Sequence, residues 1–510
     1  MNLTLTDEQQ HIVDKVIAVD SNQEPANPLI AVDACAGSGK TALLQEITNE
    51  LDPQNGLYLC YNKAIAEESK NKFKAEYKII NGRKTFIKGT MCSTSHSMAY
   101  QNTITLYKLK LGSFFWKTIT ERVQYEEKLI IVDLMKEWCM SEFDMFDKFS
   151  DYKMKTSLQA NPKYYAIVKK YFNKMIKGEI PISHDGYLKF YHMLLAHKKI
   201  VHKEFDILLG DEVGDLAAVT FEIMKLIPAK RKVFVGDRAQ NIYRFNHTIN
   251  CFEKIEKDLV LSMSQSFRCS TDIAKRIDGF SKSYINPNKN FIGIKYDDMS
   301  IKTSAYISRN NAQLIERIIQ FSAVNTKYNL FRPADSIFEL ILILLSSNNK
   351  DKRIERGDFR YLQEDIDKWN HSLELQDKHR KPFSYLNSLY GEETGFKTAF
   401  TLIREYGPAT IYKAYESAKQ YEKDKTVYPI SVGTVFGTKG LEFDKVTILS
   451  DLNAAVADVL EPDEDGNKKD LIDFTEDEQT VIYLYYVACS RAKKELVNAT
   501  HLPKIFNEFI

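Results

Sequence analysis

Lys40 and Thr41 close a segment, Ala34 to Thr41, that reads AxxxxGKT, and the residue types in it suit a bound phosphate chain. Gly37 and Gly39 lack the Cβ atoms that would keep backbone N–H groups from turning inward, and Ala36 and Ser38 complete the loop. A lysine ammonium at position 40 reaches terminal phosphates, and a hydroxyl at position 41 ligates Mg²⁺. Leu29 to Ala34 (LIAVDA) is an apolar run of strand type, and ALLQEITNEL after the loop is helical in pattern. The loop is therefore expected between strand and helix, where the helix N-terminus adds its partial positive charge. A chance glycine turn gives the same short pattern, so other residues must agree with it.

The second requirement for phosphoryl chemistry is a pair of carboxylates at the end of another buried strand. Phe205 to Gly210 (FDILLG) is the apolar run, and Asp211-Glu212 follow at once. The first carboxylate would hold Mg²⁺ through water and the second would polarise the attacking water. An isolated Asp-Glu pair is ordinarily solvated surface; this one ends an apolar strand. A third strand, Lys232 to Val235, delivers Gly236-Asp237, and Gln240 follows as a neutral donor and acceptor suited to sensing the γ-phosphate or its water.

The rest of the chain bounds what can position these groups. At 510 residues it must hold several domains, and 44% hydrophobic with 27% charged residues is ordinary globular composition. Ile337 to Ser346 is the longest apolar candidate; it is too short for a bilayer and reads as a buried helix. The start, MNLTLTDEQQ, lacks the features of a secretory signal, so an intracellular, cytoplasmic protein with no membrane association is expected. The 7 cysteines are scattered with no CxxC pair, which argues against disulfides or zinc. A net charge of +1 means that any phosphate-binding surface must be local.

The order of segments resembles the UvrD/Rep helicases of superfamily 1, and more closely the F-box DNA helicase subgroup. LTDEQ (Leu5 to Gln9) is similar to the adenine-reading Q-motif, CAGSGKT to motif I, YNKAIA (Tyr61 to Ala66) to motif Ia, and TSHSMA (Thr94 to Ala99) to motif Ib. DEVGD (Asp211 to Asp215) resembles motif II, GDRAQNIYRF (Gly236 to Phe245) motif III, and QSFRCSTDIA (Gln265 to Ala274) motif IV. TVFGTKGLEFDKV (Thr434 to Val446) resembles motif V and YVACSRAKKEL (Tyr486 to Leu496) motif VI, and SHDGYLKFYHML is also similar to the F-box subgroup.

The resemblance implies an α/β fold: two RecA-like P-loop NTPase domains with parallel sheets, each interrupted by a mostly helical insertion, with ATP in the cleft between them. It implies Arg268 and Arg491 as arginine fingers on the γ-phosphate, Phe267 stacked on adenine, Gln9 reading the base and Glu442 accepting from the ribose. ATP and Mg²⁺ are the implied cofactors, with Thr41 and Asp211 on the metal and Lys40, Glu212 and Gln240 at the reacting phosphate. For DNA, Tyr243 and Phe245 supply aromatic faces, and Tyr61, Asn62, Thr94, His96, Thr434 and Phe436 supply further contacts. Taken singly, these aromatics would be core, His96 structural and Arg268 a surface ion pair.

The chain also departs from the family pattern. Gly214 stands where motif II usually has glutamine, Asn246-His247-Thr248 replace an RGA, Phe436 replaces a histidine, and Ser490 replaces a threonine. Lys40, Thr41, Asp211, Glu212, Gln240, Arg268 and Arg491 are untouched. Altered DNA contacts put coupling, rather than hydrolysis, in question.

The expected boundaries are 1–99 and 203–261 for the first RecA-like domain, with an insertion at 100–202. The second runs over 262–326 and 424–510, with a reduced insertion at 327–423. Residues 153–203 hold eleven lysines interleaved with seven Tyr and Phe residues. That composition suits a strand-contacting surface or, equally, a helical insertion with a solvated lysine face and an aromatic core. The implied activity is a helicase moving 3′ to 5′ on single-stranded DNA and at single/double-strand junctions, with replication or recombination proteins as further partners. A translocase that strips proteins, or an ATP-gated switch that does not step, is the alternative. The compact second insertion is compatible with a phage-encoded source.

Overall fold

The computed structural model describes residues 5–18, 29–60, 63–80, 83–157, 161–242, 250–255, 260–349, 359, 361–424, 426–462, 469 and 473–503. The chain divides into two units, Met1–Phe267 and Arg268–Ile510.

The first unit contains β1 (Leu29–Ala34), β2 (Gly56–Leu59), β3 (Glu76–Ile80), β4 (Arg83–Lys88), β5 (Thr90–Ser93), β6 (Ile207–Gly210), β7 (Lys232–Gly236) and β8 (Val260–Met263), and β9 (Gln265–Ser270) leads out of it. Six of these form a parallel sheet in the order β5-β2-β6-β7-β1-β8. Parallel strands are buried on both faces, which is why these segments read as continuous apolar runs. Alternate residues serve opposite layers. Val32, Tyr58, Leu209 and Val233 pack with the helices Asp7–Ile17 and Lys40–Leu51. Ala31, Leu57, Leu208 and Phe234 face the other way, into a core continuous with the insertion.

That insertion is helical as expected, with helices Tyr125–Met140, Phe146–Thr156, Pro162–Ile176 and His184–Ala196. Trp138, Phe149, Tyr165, Tyr171, Phe172, Tyr187 and Tyr191 are buried in it, so its aromatics serve as core. Its lysines divide. Lys189 is fully buried, donating from Nζ to the Ser141 carbonyl (2.9 Å), the Ser141 hydroxyl (3.1 Å) and the Phe143 carbonyl, with Nζ 4.1 Å from the centre of the Trp138 ring. Lys153, Lys169 and Lys170 pair with Glu137, Asp147 and Glu121. Lys155, Lys163, Lys177, Lys198, Lys199 and Lys203 remain exposed.

One boundary differs from expectation. The first unit runs to Phe267 rather than to residue 261. Ser262 and Met263 are in β8, in register with Asp33 and Ala34 of β1, and so complete the first sheet.

The second unit holds β10 (Ile292–Ile294), β11 (Ser304–Ser308), β12 (Asn329–Leu330), β13 (Ile430–Thr434), β14 (Phe443–Ile448) and β15 (Ala492–Val497). Five form a second parallel sheet, β12-β13-β11-β14-β15, as the expected α/β class requires. Its insertion is helical and includes Ala334–Ser346, which contains the anticipated apolar helix, and Thr394–Lys423, kinked at Gly407 (φ 72°) before Pro408. Ile337, Phe338, Ile341 and Leu344 pack in one cluster with Leu314, Ile315 and Ile318 of the helix Asn311–Ala323 and with Val432 of β13. The insertion thus shares its core with the sheet's own helical layer. Among the described residues, no helix is long and apolar enough to cross a membrane.

Candidate nucleotide and nucleic-acid site

Because its six strands are parallel, the first sheet delivers the loops after β1, β2, β5, β6, β7 and β8 to one edge, where α/β sheets hold ligands. Motifs as far apart in sequence as Ala36 and Ser266 become neighbours there. Gly37 (φ 75°) and Gly39 (φ 78°) both adopt the left-handed conformation that glycine tolerates, and the helix Lys40–Leu51 begins directly after them.

Asp211 is buried at the end of β6 and has partners on both carboxylate oxygens. Its Oδ2 accepts from the Thr41 hydroxyl (3.2 Å) and the Tyr58 hydroxyl (2.9 Å), and its Oδ1 accepts from the Glu212 N–H (2.9 Å). Burial and the neighbouring Glu212 charge push the Asp211 pKa up; Lys40 and the Tyr58 hydrogen bond oppose them. Glu212 is itself left-handed (φ 53°), a conformation uncommon for a side-chain-bearing residue and found at functional turns. Its Oε1 lies 3.4 Å from Lys40 Nζ.

Thr41 and Asp211 present facing hard oxygen donors, the type Mg²⁺ accepts. Among the described residues, no group of three or more His, Cys, Asp and Glu could hold a metal ion. The pair suits an ion that draws its remaining ligands from phosphate and water.

Around the loop, Gln9 donates from Nε2 to the Ser38 carbonyl (3.2 Å) and closes a capping box with Thr6 at the start of the helix Asp7–Ile17. The Ser266 hydroxyl donates to the Ala36 carbonyl (2.7 Å) and the Phe267 N–H to the Gly37 carbonyl (2.8 Å). A Cβ on Gly39 would stand 3.4 Å from Gln9 Nε2 and 3.8 Å from the Phe267 ring. Gln9 and exposed Phe267, both expected at the base, therefore flank the same loop.

Gln240 is buried and held, its Nε2 donating to Asp237 Oδ2 (2.8 Å). The glycine at 214 has a local reason. A Cβ there would meet the Asp237 carbonyl oxygen at 2.6 Å, and one on Gly236 would meet the Gly214 nitrogen at 2.7 Å. Motifs II and III meet here through bare backbone, with no space for the glutamine usual at position 214.

Thr94 caps the helix Ser95–Tyr100, accepting from the Ser97 N–H (3.1 Å), and His96 Nδ1 lies 3.1 Å from the Tyr187 hydroxyl of the insertion. A cavity of about 300 Å³ opens beside them, lined by Thr94, His96, Lys136, Asp185, Asp211 and Asp215 among others. It places the DNA-facing candidates Thr94 and His96 on the same wall system as the metal candidate Asp211. Tyr61, Asn62, Tyr243 and Phe245 lie outside the described residues, as do Asn246, His247 and Thr248.

In the second unit, Arg268 donates from Nε to Glu442 Oε2 (2.9 Å) and from Nη1 to the Ser490 carbonyl (3.3 Å). Burial would raise the Glu442 pKa, but Arg268 and Lys493 bring it below the usual value. Arg491 is buried and bonds the Val487 carbonyl (3.0 Å), the Leu441 carbonyl (3.3 Å) and the Ser490 hydroxyl (3.1 Å). Motifs IV, V and VI are thus tied together through Arg268, Glu442 and Ser490. Thr434 ends β13 and caps the short helix Val435–Thr438, in which Phe436 is half-buried.

Sequence reasoning missed two relationships. Tyr58, which the motifs do not include, reaches Asp211. Asp33, buried at the end of β1, pairs with Arg238 Nε at 2.7 Å and so joins the phosphate loop's strand to motif III. A charged residue inside an otherwise apolar strand, as in LIAVDA, was the available signal for the second.

Residues 18–260 match the family model of the UvrD/REP helicase N-terminal domain. Along 98% of its length the chain is 24% identical to F-box DNA helicase 1 of Gallus gallus and 23% identical to F-box DNA helicase protein 1 of Schizosaccharomyces pombe. It spans 49% and 58% of those two proteins.

Proposed function

From the match of residues 18–260 to the UvrD/REP helicase N-terminal domain and the similarity to two DNA helicases along 98% of the chain, we propose that it is an ATP-dependent DNA helicase of the UvrD-like superfamily 1 type that moves 3′ to 5′ on single-stranded DNA and separates strands at junctions. The observation that carries this reading is the convergence of Lys40, Thr41, Asp211 and Glu212 at the edge of one parallel sheet. Lys40 would exchange Glu212 for the β- and γ-phosphates. Thr41 and Asp211 would hold Mg²⁺, which when bound neutralises charge on the phosphate oxygens. Glu212, released from Lys40, would orient and deprotonate the attacking water, and Gln240, steadied by Asp237, would sense it.

Gln9 and Phe267 are assigned to the adenine, Glu442 to the ribose, and Arg268 and Arg491 to the charge that builds on the γ-phosphate. Tyr61, Asn62, Thr94, His96, Tyr243, Phe245, Thr434 and Phe436 are assigned to DNA, with stacking the main contribution of the aromatics. The relatives named as DNA helicases support DNA as the track and an intracellular setting. Replication or recombination proteins are the partners such an activity would meet.

The test is strand displacement on duplexes with a 3′ or a 5′ single-stranded tail, run beside ATP hydrolysis with and without DNA. Displacement from the 3′ tail with DNA-stimulated hydrolysis is expected. Hydrolysis without displacement would favour protein stripping or switching, and displacement from the 5′ tail alone would refute the polarity.

A further inference from the structure

Tyr58 sits on β2, a strand that the nucleotide chemistry does not otherwise use. Its hydroxyl donates to Asp211 Oδ2 at 2.9 Å, the oxygen that Thr41 also meets. The register places Tyr58 beside Leu209 of β6 on one side and Cys92 of β5 on the other, so the ring is fixed by two ladders. It is fully buried and stacks on Phe73 with ring centroids 4.4 Å apart and planes 25° from parallel. Ser69, buried on the helix Lys63–Lys72, acts in the opposite direction to Asp211 on the Tyr58 pKa, which burial and the Asp211 charge push up. A carboxylate only accepts, so the single phenolic hydrogen points at Asp211.

A carboxylate that holds a metal through water must keep its oxygens oriented while the ligands around the metal change. Thr41 cannot do this for Asp211, because Thr41 is itself expected on the metal. The Glu212 N–H fixes only the other oxygen. We propose that Tyr58 is a positioning residue for the reaction, holding Asp211 Oδ2 in place for Mg²⁺ from the neighbouring strand. This rests on the proposed ATPase reading. Tyr58 touches neither nucleotide nor metal; it acts through Asp211, in the way that outer partners orient metal-binding carboxylates.

The experiment compares Tyr58→Phe with the wild type, which keeps the ring and its stacking on Phe73 and removes only the hydroxyl. ATP hydrolysis with DNA is measured against MgCl₂ concentration, and binding of a fluorescent ATP analogue is measured in EDTA. A rise of about ten-fold or more in the half-saturating Mg²⁺ concentration is expected, from losing one hydrogen bond to a charged group, with metal-free binding unchanged. Superimposed Mg²⁺ curves would overturn the proposal, as would a parallel loss of metal-free binding, which marks a merely structural role. Should Tyr58→Phe fail to fold, Phe73→Leu loosens the ring and keeps the hydroxyl. It must raise the same constant about two-fold, and no change would overturn the proposal. Lys40→Ala separates the two readings. If the wild type does not hydrolyse ATP, or Lys40→Ala hydrolyses as well as it does, the ATPase reading itself has failed and this inference falls with it.

Discussion

Gly214 and Asp237 touch through their main chains, so that a Cβ at 214 would stand 2.6 Å from the Asp237 carbonyl oxygen. Backbone cannot yield as a flexible side chain can. Gly214→Ala is therefore expected to destabilise the protein by about 1–3 kcal/mol, the usual range for overpacking. Gly214→Gln, although it restores the residue common in relatives, should be worse and should also depress hydrolysis by displacing Gln240. Thermal melting and steady-state ATPase assays measure both; a Gln variant as stable and active as the wild type would sink the explanation.

The contact of Lys40 with Glu212 predicts different outcomes for the two partners. Glu212→Gln should bind ATP normally and slow hydrolysis by about 10²–10⁴-fold, the contribution of a positioned base. Lys40→Ala should weaken nucleotide binding as well. Single-turnover hydrolysis and nucleotide-binding titrations separate these, and rapid hydrolysis by Glu212→Gln would remove Glu212 from its assigned role.

Arg238→Met leaves the Asp33 carboxylate buried without its cation, at a cost of about 3 kcal/mol. Adding Asp33→Leu should recover most of that loss, because the charge is then gone. Urea denaturation of the four proteins in the cycle gives the answer. If the double variant is as unstable as the sum of the singles, the ion pair does not explain the cost.

Acid should loosen the first unit through His192. Its Nδ1 is buried with no hydrogen-bond partner among the described residues, and burial, with Lys189 next, lowers its pKa to about 3 against the effects of Asp144. A histidine depressed in the folded state binds its proton more readily when unfolded, so stability is full above 6.5 and falls as pH drops toward 3. The slope is about 1 kcal/mol per pH unit in that window. Urea midpoints measured from pH 7 to pH 5 should fall for the wild type and fall less for His192→Phe; equal slopes would clear His192 of the effect.

What was legible in the sequence is what is local in it. Lys40, Thr41, Asp211 and Glu212 stand at the ends of short apolar runs, and the parallel sheet converts strand ends into a common edge. Tyr58 and Arg238 were not legible, because their meaning depends on partners 153 and 205 positions away. Lys189 misled for a related reason. Composition counts it among surface cations, whereas the turn after the helix Tyr125–Met140 offers it carbonyls in the interior. The aromatics around it are hydrophobic volume first, and interleaving with lysine in sequence does not place them on a common surface.

In the second sheet, β11 takes both of its neighbours, β13 and β14, from chain that follows the helical insertion. During synthesis, Ser304–Ser308 must therefore wait with both edges open while more than a hundred further residues emerge, up to Ile448. The insertion, rich in local contacts, is the part of this unit able to form first, and it does so against the helix Asn311–Ala323, already made. Its presence between the strands gives that helix an apolar partner throughout the interval in which the sheet cannot close.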